Sequence, residues 1–210
     1  MGERSMTAAG TDYDALDPAA RAVLDFWFGE PASPRFGQAW NSWFSGDDAF
    51  DAQLRQRFGA TLASARRGEH DAWRSTPLGT LALIVVLDQF SRNIHRGTAE
   101  AFASDARAVE AARNMVATRT DRTLPTPHHR AFAYLPFEHD ESRESQQMSV
   151  RLFGELADES KDAAGYLGYA HQHAVIIERF GRFPHRNVVL GRESSDEERA
   201  FLREPGSSFR

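Results

Sequence analysis

The chain contains no cysteine and a single lysine, Lys161. Without a thiol it forms no disulfide, no thiolate zinc site and no cysteine nucleophile. All but one of its 25 basic residues are arginine, so its cations are planar forks suited to bidentate pairing rather than compact point charges. Long apolar runs are missing too. The longest, Leu81 to Leu87, falls far short of the roughly 20 residues that span a bilayer. The first 17 residues lack the basic-then-apolar order of a secretory leader, and a soluble cytoplasmic protein is the expectation. A formal charge of −5 leaves no electrostatic footprint for nucleic acid or an anionic membrane, so neither is expected as a partner. No Gly-x-Ser-x-Gly elbow and no Gly-rich phosphate loop occurs, and no cofactor is expected.

What the chain does have is helical periodicity. At 210 residues and 41% hydrophobic, with 15 Phe and 4 Trp, it is long and greasy enough for a packed core. Residues 1–16 are polar, rich in Gly and Ala, and read as a disordered segment; 17–210 read as one all-helical domain. Asp17 is placed to cap a helix opening at Pro18 and ended by Gly29. A short helical piece holds Trp40, Trp43 and Phe44. Asp47 is the next cap, followed by Phe50, Leu54, Phe58, Leu62 and Ala65 at spacings of three and four. Thr76-Pro77 opens a helix that is apolar all round over Leu81–Leu87, which places it at the centre, and the Asp88–Arg92 spacing fits its continuation. Further helices are predicted over 99–118, from Thr126-Pro127 until Pro136 breaks it, over 142–158 and over 163–180. The last opens at a capping box, Ser194-Ser-Asp-Glu197. The sum is all-α, an antiparallel bundle or array of eight or nine helices, with no hairpin turn flanked by alternating residues.

The stretch His171–Glu193 organises the rest. Gly181 suits a left-handed helix end and Pro184 pushes Phe183 out of helical space, so the helix stops near Phe180. Beyond it, Arg182, His185, Arg186, Asn187 and Arg192 alternate with apolar residues. A loop so apolar belongs pinned to the core, and its polar groups then need partners. Asp88–Gly97 repeats the pattern of Glu178–Asn187: acid, Phe, small residue, Arg, His and Arg at the same offsets.

Leu87–Asp105, Tyr134-Leu-Pro-Phe-Glu-His139 and Arg179-Phe-Gly-Arg-Phe-Pro-His-Arg-Asn187, with the Leu24-Asp-Phe-Trp-Phe-Gly29 opening and Trp43-Phe44, resemble the bacterial domain-of-unknown-function family nine-two-four over about residues 18–203. The resemblance implies an all-helical, tetratricopeptide-like fold, although no 34-residue period is visible. It supplies no catalytic residues, and His95 stands where an aromatic is expected.

Two functions follow. The first is a helical binding or scaffolding module for a peptide or protein. The second is a small-anion binder or enzyme, taking phosphate or carboxylate in a pocket of Arg92, Arg96, Arg182, Arg186 and Arg192, with Asn93, His185 and Asn187 as donors and Asp88, Glu178 and Glu193 holding the cations apart. A scaffold requires those guanidiniums to be saturated by acids and carbonyls; an anion site requires at least two that are not. Metal binding by Glu138, His139, His171, His173 and Glu178 is the weaker reading, because His171 and His173 diverge on a helix; no metal is expected.

Overall fold

A computed structural model describes residues 12–207. Residues 1–11 of the segment expected to be disordered lie outside it; within it, the Tyr13 hydroxyl donates to Asp25 and Leu16 is buried. Helix α1, Pro18–Phe28, starts where Asp17 accepts from the Ala19 and Ala20 amides at 2.8 and 3.4 Å. Helix α2, Asp48–Arg66, is capped by Asp47 and buries Phe50, Leu54, Phe58, Leu62 and Ala65. Thr76 caps α3, Pro77–Ile84, which runs through a π-helical turn, Val85–Phe90, into α4, Ser91–Ile94. Then come α5, Asp105–Ala117, α6, Pro127–His139, α7, Arg143–Glu159, α8, Ala164–Phe180, and α9, Asp196–Phe201. These are nine α-helices and no strand among the described residues.

The rod from α3 to α4 is buried on every side through Phe90, and a continuous cluster of buried apolar side chains surrounds it from Leu16 to Ala170. Trp27 packs on Phe90 and Phe132, with ring centroids 5.4 and 5.6 Å apart, and Trp43 donates its indole N–H to the Trp27 carbonyl at 3.0 Å. Among Phe26, Trp27, Trp40, Trp43 and Phe44, Phe44 is the exposed one, at 62%. A smaller cluster of Ile176, Ile177 and Phe183, with Phe180 and Phe201 against it, pins the segment after α8.

Three helix boundaries differ from the sequence reading. Helix α6 continues through Pro136 to His139. A mid-helix proline costs about 3 kcal/mol, but the helix buries every residue from His128 to Glu138, and each large apolar side chain returns roughly 1.5–3 kcal/mol. The helix expected over 99–118 is broken into a 3-10 turn, Ala99–Phe102, and α5. Side chains take the carbonyls that would extend it: Arg66 donates to Glu100 O at 2.5 Å and Ser91 to Ala101 O at 3.0 Å. The capping box forms one residue later than expected, between Ser195 and Glu198, because the Ser194 hydroxyl accepts from Asn187 at 3.0 Å.

Candidate functional site

The π-helical turn decides where the chemistry goes. Inserting this wider turn into a rod buried all round rotates Asp88 and Gln89 into the interior, where an anion must be paired. Two partners meet Asp88. His139, the last residue of α6, donates from Nδ1 at 2.8 Å, and Arg92, one turn along, lies at 2.9 Å. Gln89 adds a third donor at 2.6 Å. Burial alone would raise the Asp88 pKa; Arg92 and then His139 outweigh it and hold the carboxyl well below the usual range. Burial, then Arg92, lowers His139, so at neutral pH the pair is a carboxylate and a neutral imidazole.

Arg92 also forks onto Asp105, with Nη1 and Nη2 at 2.8 and 2.9 Å from its two oxygens. Asp105 opens α5, where a helix N-terminus favours an anion. Arg186 reaches the same carboxylate at 3.4 Å from the other side of the molecule's C-terminal turn, Pro184–Arg186, and donates to the His139 carbonyl at 2.9 Å. Its guanidinium lies between the Phe102 and Phe183 rings, 4.5 Å from each centroid. Burial, then Arg92, lowers its pKa to about 10, which leaves it charged at neutral pH. Asp88, Asp105, Arg92 and Arg186 therefore form a quartet of two anions and two cations. The net charge is zero.

Beside the quartet is an uncharged acid. Glu138 is 3% exposed, and burial followed by Asp88 raises its carboxyl to about 8. Its Oε1 lies 3.4 Å from Nδ1 of His173, which donates to the Tyr169 carbonyl at 2.9 Å. Burial, then His139, pushes His173 down to about 2. Among the described residues no group of three or more His, Asp or Glu is placed to hold a metal.

Of the remaining residues singled out from the sequence, the structure gathers some and scatters others. Arg192 forks onto Glu141 at 2.6 and 2.9 Å and donates to Asn187 Oδ1 at 3.0 Å, forming a rim beside Arg186. Arg182 pairs with Glu198 at 2.6 Å, not with Glu178 or the Glu193 carboxylate; it takes the Glu193 carbonyl instead. Glu178 is exposed on α8. Asn93 and Arg96 turn away to Asp51 on α2, at 2.8 and 2.6 Å. His185 is half-buried, its ring 5.6 Å from Phe183. The acids that the sequence reading missed are Asp51, Asp105, Glu141 and Glu198. Asp51 alone left a local signal, an acid on the buried face three residues before Leu54.

A second feature lies on the outer side of α7 and α8, which pack along their length. A groove of about 470 Å³ runs between them, floored by Gln146, Val150, Ala174 and Ile177 and edged by Arg143, Gln147, Arg151 and Glu178.

The model of the family described as bacterial protein of unknown function (DUF924) matches residues 23–206. The chain belongs to this family. A DUF924 chain shares its fold with a solved structure of a protein of unknown function from Agrobacterium tumefaciens, at 38% identity and a TM-score of 0.75 over 88% of this chain and 96% of that one. No curated protein matches this DUF924 member. Among its described residues, no helix is long and apolar enough to cross a membrane.

Proposed function

We propose that the protein is a helical binding module for a peptide or protein partner, and that its Arg/His/acid cluster serves the fold. The observation that supports this reading is that every guanidinium of the candidate pocket is already paired with an acid, although the buried Arg186 Nε has no hydrogen-bond partner among the described residues. Arg92, Arg96, Arg182, Arg186 and Arg192 each have a carboxylate partner, and the buried quartet is neutral, so an incoming phosphate or carboxylate would first displace Asp105 or Glu141. Displacement would leave a partly buried acid, 19% or 24% exposed, without its arginine, a loss of roughly 1–3 kcal/mol. Helix pairs stacked as a tetratricopeptide-like array, with partner contacts on one face, complete the reading, and we place the protein in the cytoplasm. Panning a displayed peptide library against the full chain tests it. Retained sequences that bind in purified form at one site per chain support the module; a library that yields none contradicts it.

A further inference from the structure

We infer that the α7–α8 groove takes an amphipathic, acidic peptide helix; this rests on the binding-module reading and names its partner class. Two observations converge on that groove. Its floor is apolar at Val150, Ala174 and Ile177, with the small Ala174 side chain leaving width between the helices. Its charged edge is Arg143, Arg151 and Glu178, a surplus of one positive charge on a chain of −5. Gln146 lines the groove at 2% exposure, and its Nε2 donates to the carbonyls of Phe137, Glu138 and Asp140 at 3.2, 2.8 and 2.8 Å. Those three carbonyls fix the amide's orientation, since a flipped amide would set oxygen against oxygen. Its Oε1 is enclosed by the protein and has no hydrogen-bond partner among the described residues.

The spacing sets the occupant. Arg143 and Arg151 are eight residues apart on one helix, about 12 Å at 1.5 Å per residue. Arg143 donates to the Glu178 carbonyl at 3.2 Å and has no carboxylate partner among the described residues; Arg151 donates to Met148 Sδ and holds the half-buried Glu155, each at 2.8 Å, an acid it shares with Arg122. Two cations bracketing about two turns of apolar floor match a helix with apolar residues at i, i+3, i+4 and i+7 and carboxylates flanking them.

The test uses fluorescein-labelled amphipathic helical peptides of about 16 residues, roughly 24 Å long, with a Leu face flanked by Glu or, in the control, by Lys. The full chain is compared with the double variant Arg143→Glu/Arg151→Glu, whose changes are on exposed positions and spare the core. Wild type binds the Glu peptide, the double variant binds it at least about tenfold more weakly, and the preference between Glu and Lys peptides inverts. Ala174→Gln, which fills the groove without changing charge, weakens both. Equal binding of the Glu peptide by wild type and double variant overturns the inference. If library peptides bind but neither variant affects them, the groove assignment falls and the module reading stands; if no peptide binds, both fall.

Discussion

Asp88–Gly97 and Glu178–Asn187 carry the same residue types at the same offsets and fold into opposite surroundings. Asp88 is 1% exposed inside a π-helical turn, while Glu178 is an exposed residue on the outer side of α8. Arg92 joins two carboxylates, the buried Asp88 and Asp105, whereas its counterpart Arg182, 32% exposed, pairs with Glu198 alone. The order reverses at the second arginine. Arg96 is half-exposed on Asp51, and its counterpart Arg186 is the buried one. Local sequence placed an arginine one turn past each helix core, and burial decided which arginine became structural.

That contrast can be broken by mutation. Arg92→Ala removes the cation shared by Asp88 and Asp105 and is expected to destabilise by roughly 3–5 kcal/mol in urea unfolding, with Arg182→Ala far milder. Equal losses would erase the distinction between the two segments. Arg186→Met keeps the packing between Phe102 and Phe183 but removes the charge, and a loss of roughly 2–3 kcal/mol is expected, because Asp105 retains Arg92. Arg96→Ala should lose less, about 1 kcal/mol, because Arg96 is half-exposed and the buried Asp51 keeps Asn93.

Between those magnitudes lies a pH effect. The Glu138 pKa is raised to about 8 in the folded chain, so the stability tied to its neutral form is full below its ordinary value and is lost as pH rises through about 8. The His173 pKa is depressed to about 2, so the contribution of its neutral form is full above its ordinary value and is lost as pH falls. The two slopes oppose each other between the ordinary pKa values of glutamate and histidine. Above that range only Glu138 acts, at up to about 1.4 kcal/mol per pH unit. Glu138→Gln should therefore flatten the fall in melting temperature between neutral pH and pH ~8 and, with the opposing slope gone, let stability rise with pH between the ordinary pKa values of glutamate and histidine. An identical alkaline slope in the variant would move the buried proton elsewhere.

Much of the fold was legible because its signals are local. Asp17, Asp47, Thr76 and Thr126 cap the helices they precede, and the repeat from Phe50 to Ala65 is the buried face of α2. Pro136 misled because its cost is local while its compensation comes from neighbours on all sides of α6. Arg92 and Arg186 do meet inside the molecule, as the guanidinium-rich segments implied, but their meeting point is Asp105. No pattern within either segment names a partner 13 residues from one and 81 from the other. Glu141 with Arg192, 51 apart, is illegible for the same reason.

The central claim is that the buried quartet is closed to ligands. Melting curves of wild type and Arg186→Lys in matched concentrations of phosphate, citrate and chloride test it directly. The account predicts parallel shifts in both proteins, set by the general exclusion of kosmotropic anions. A rise with phosphate or citrate that wild type shows and Arg186→Lys lacks would contradict it.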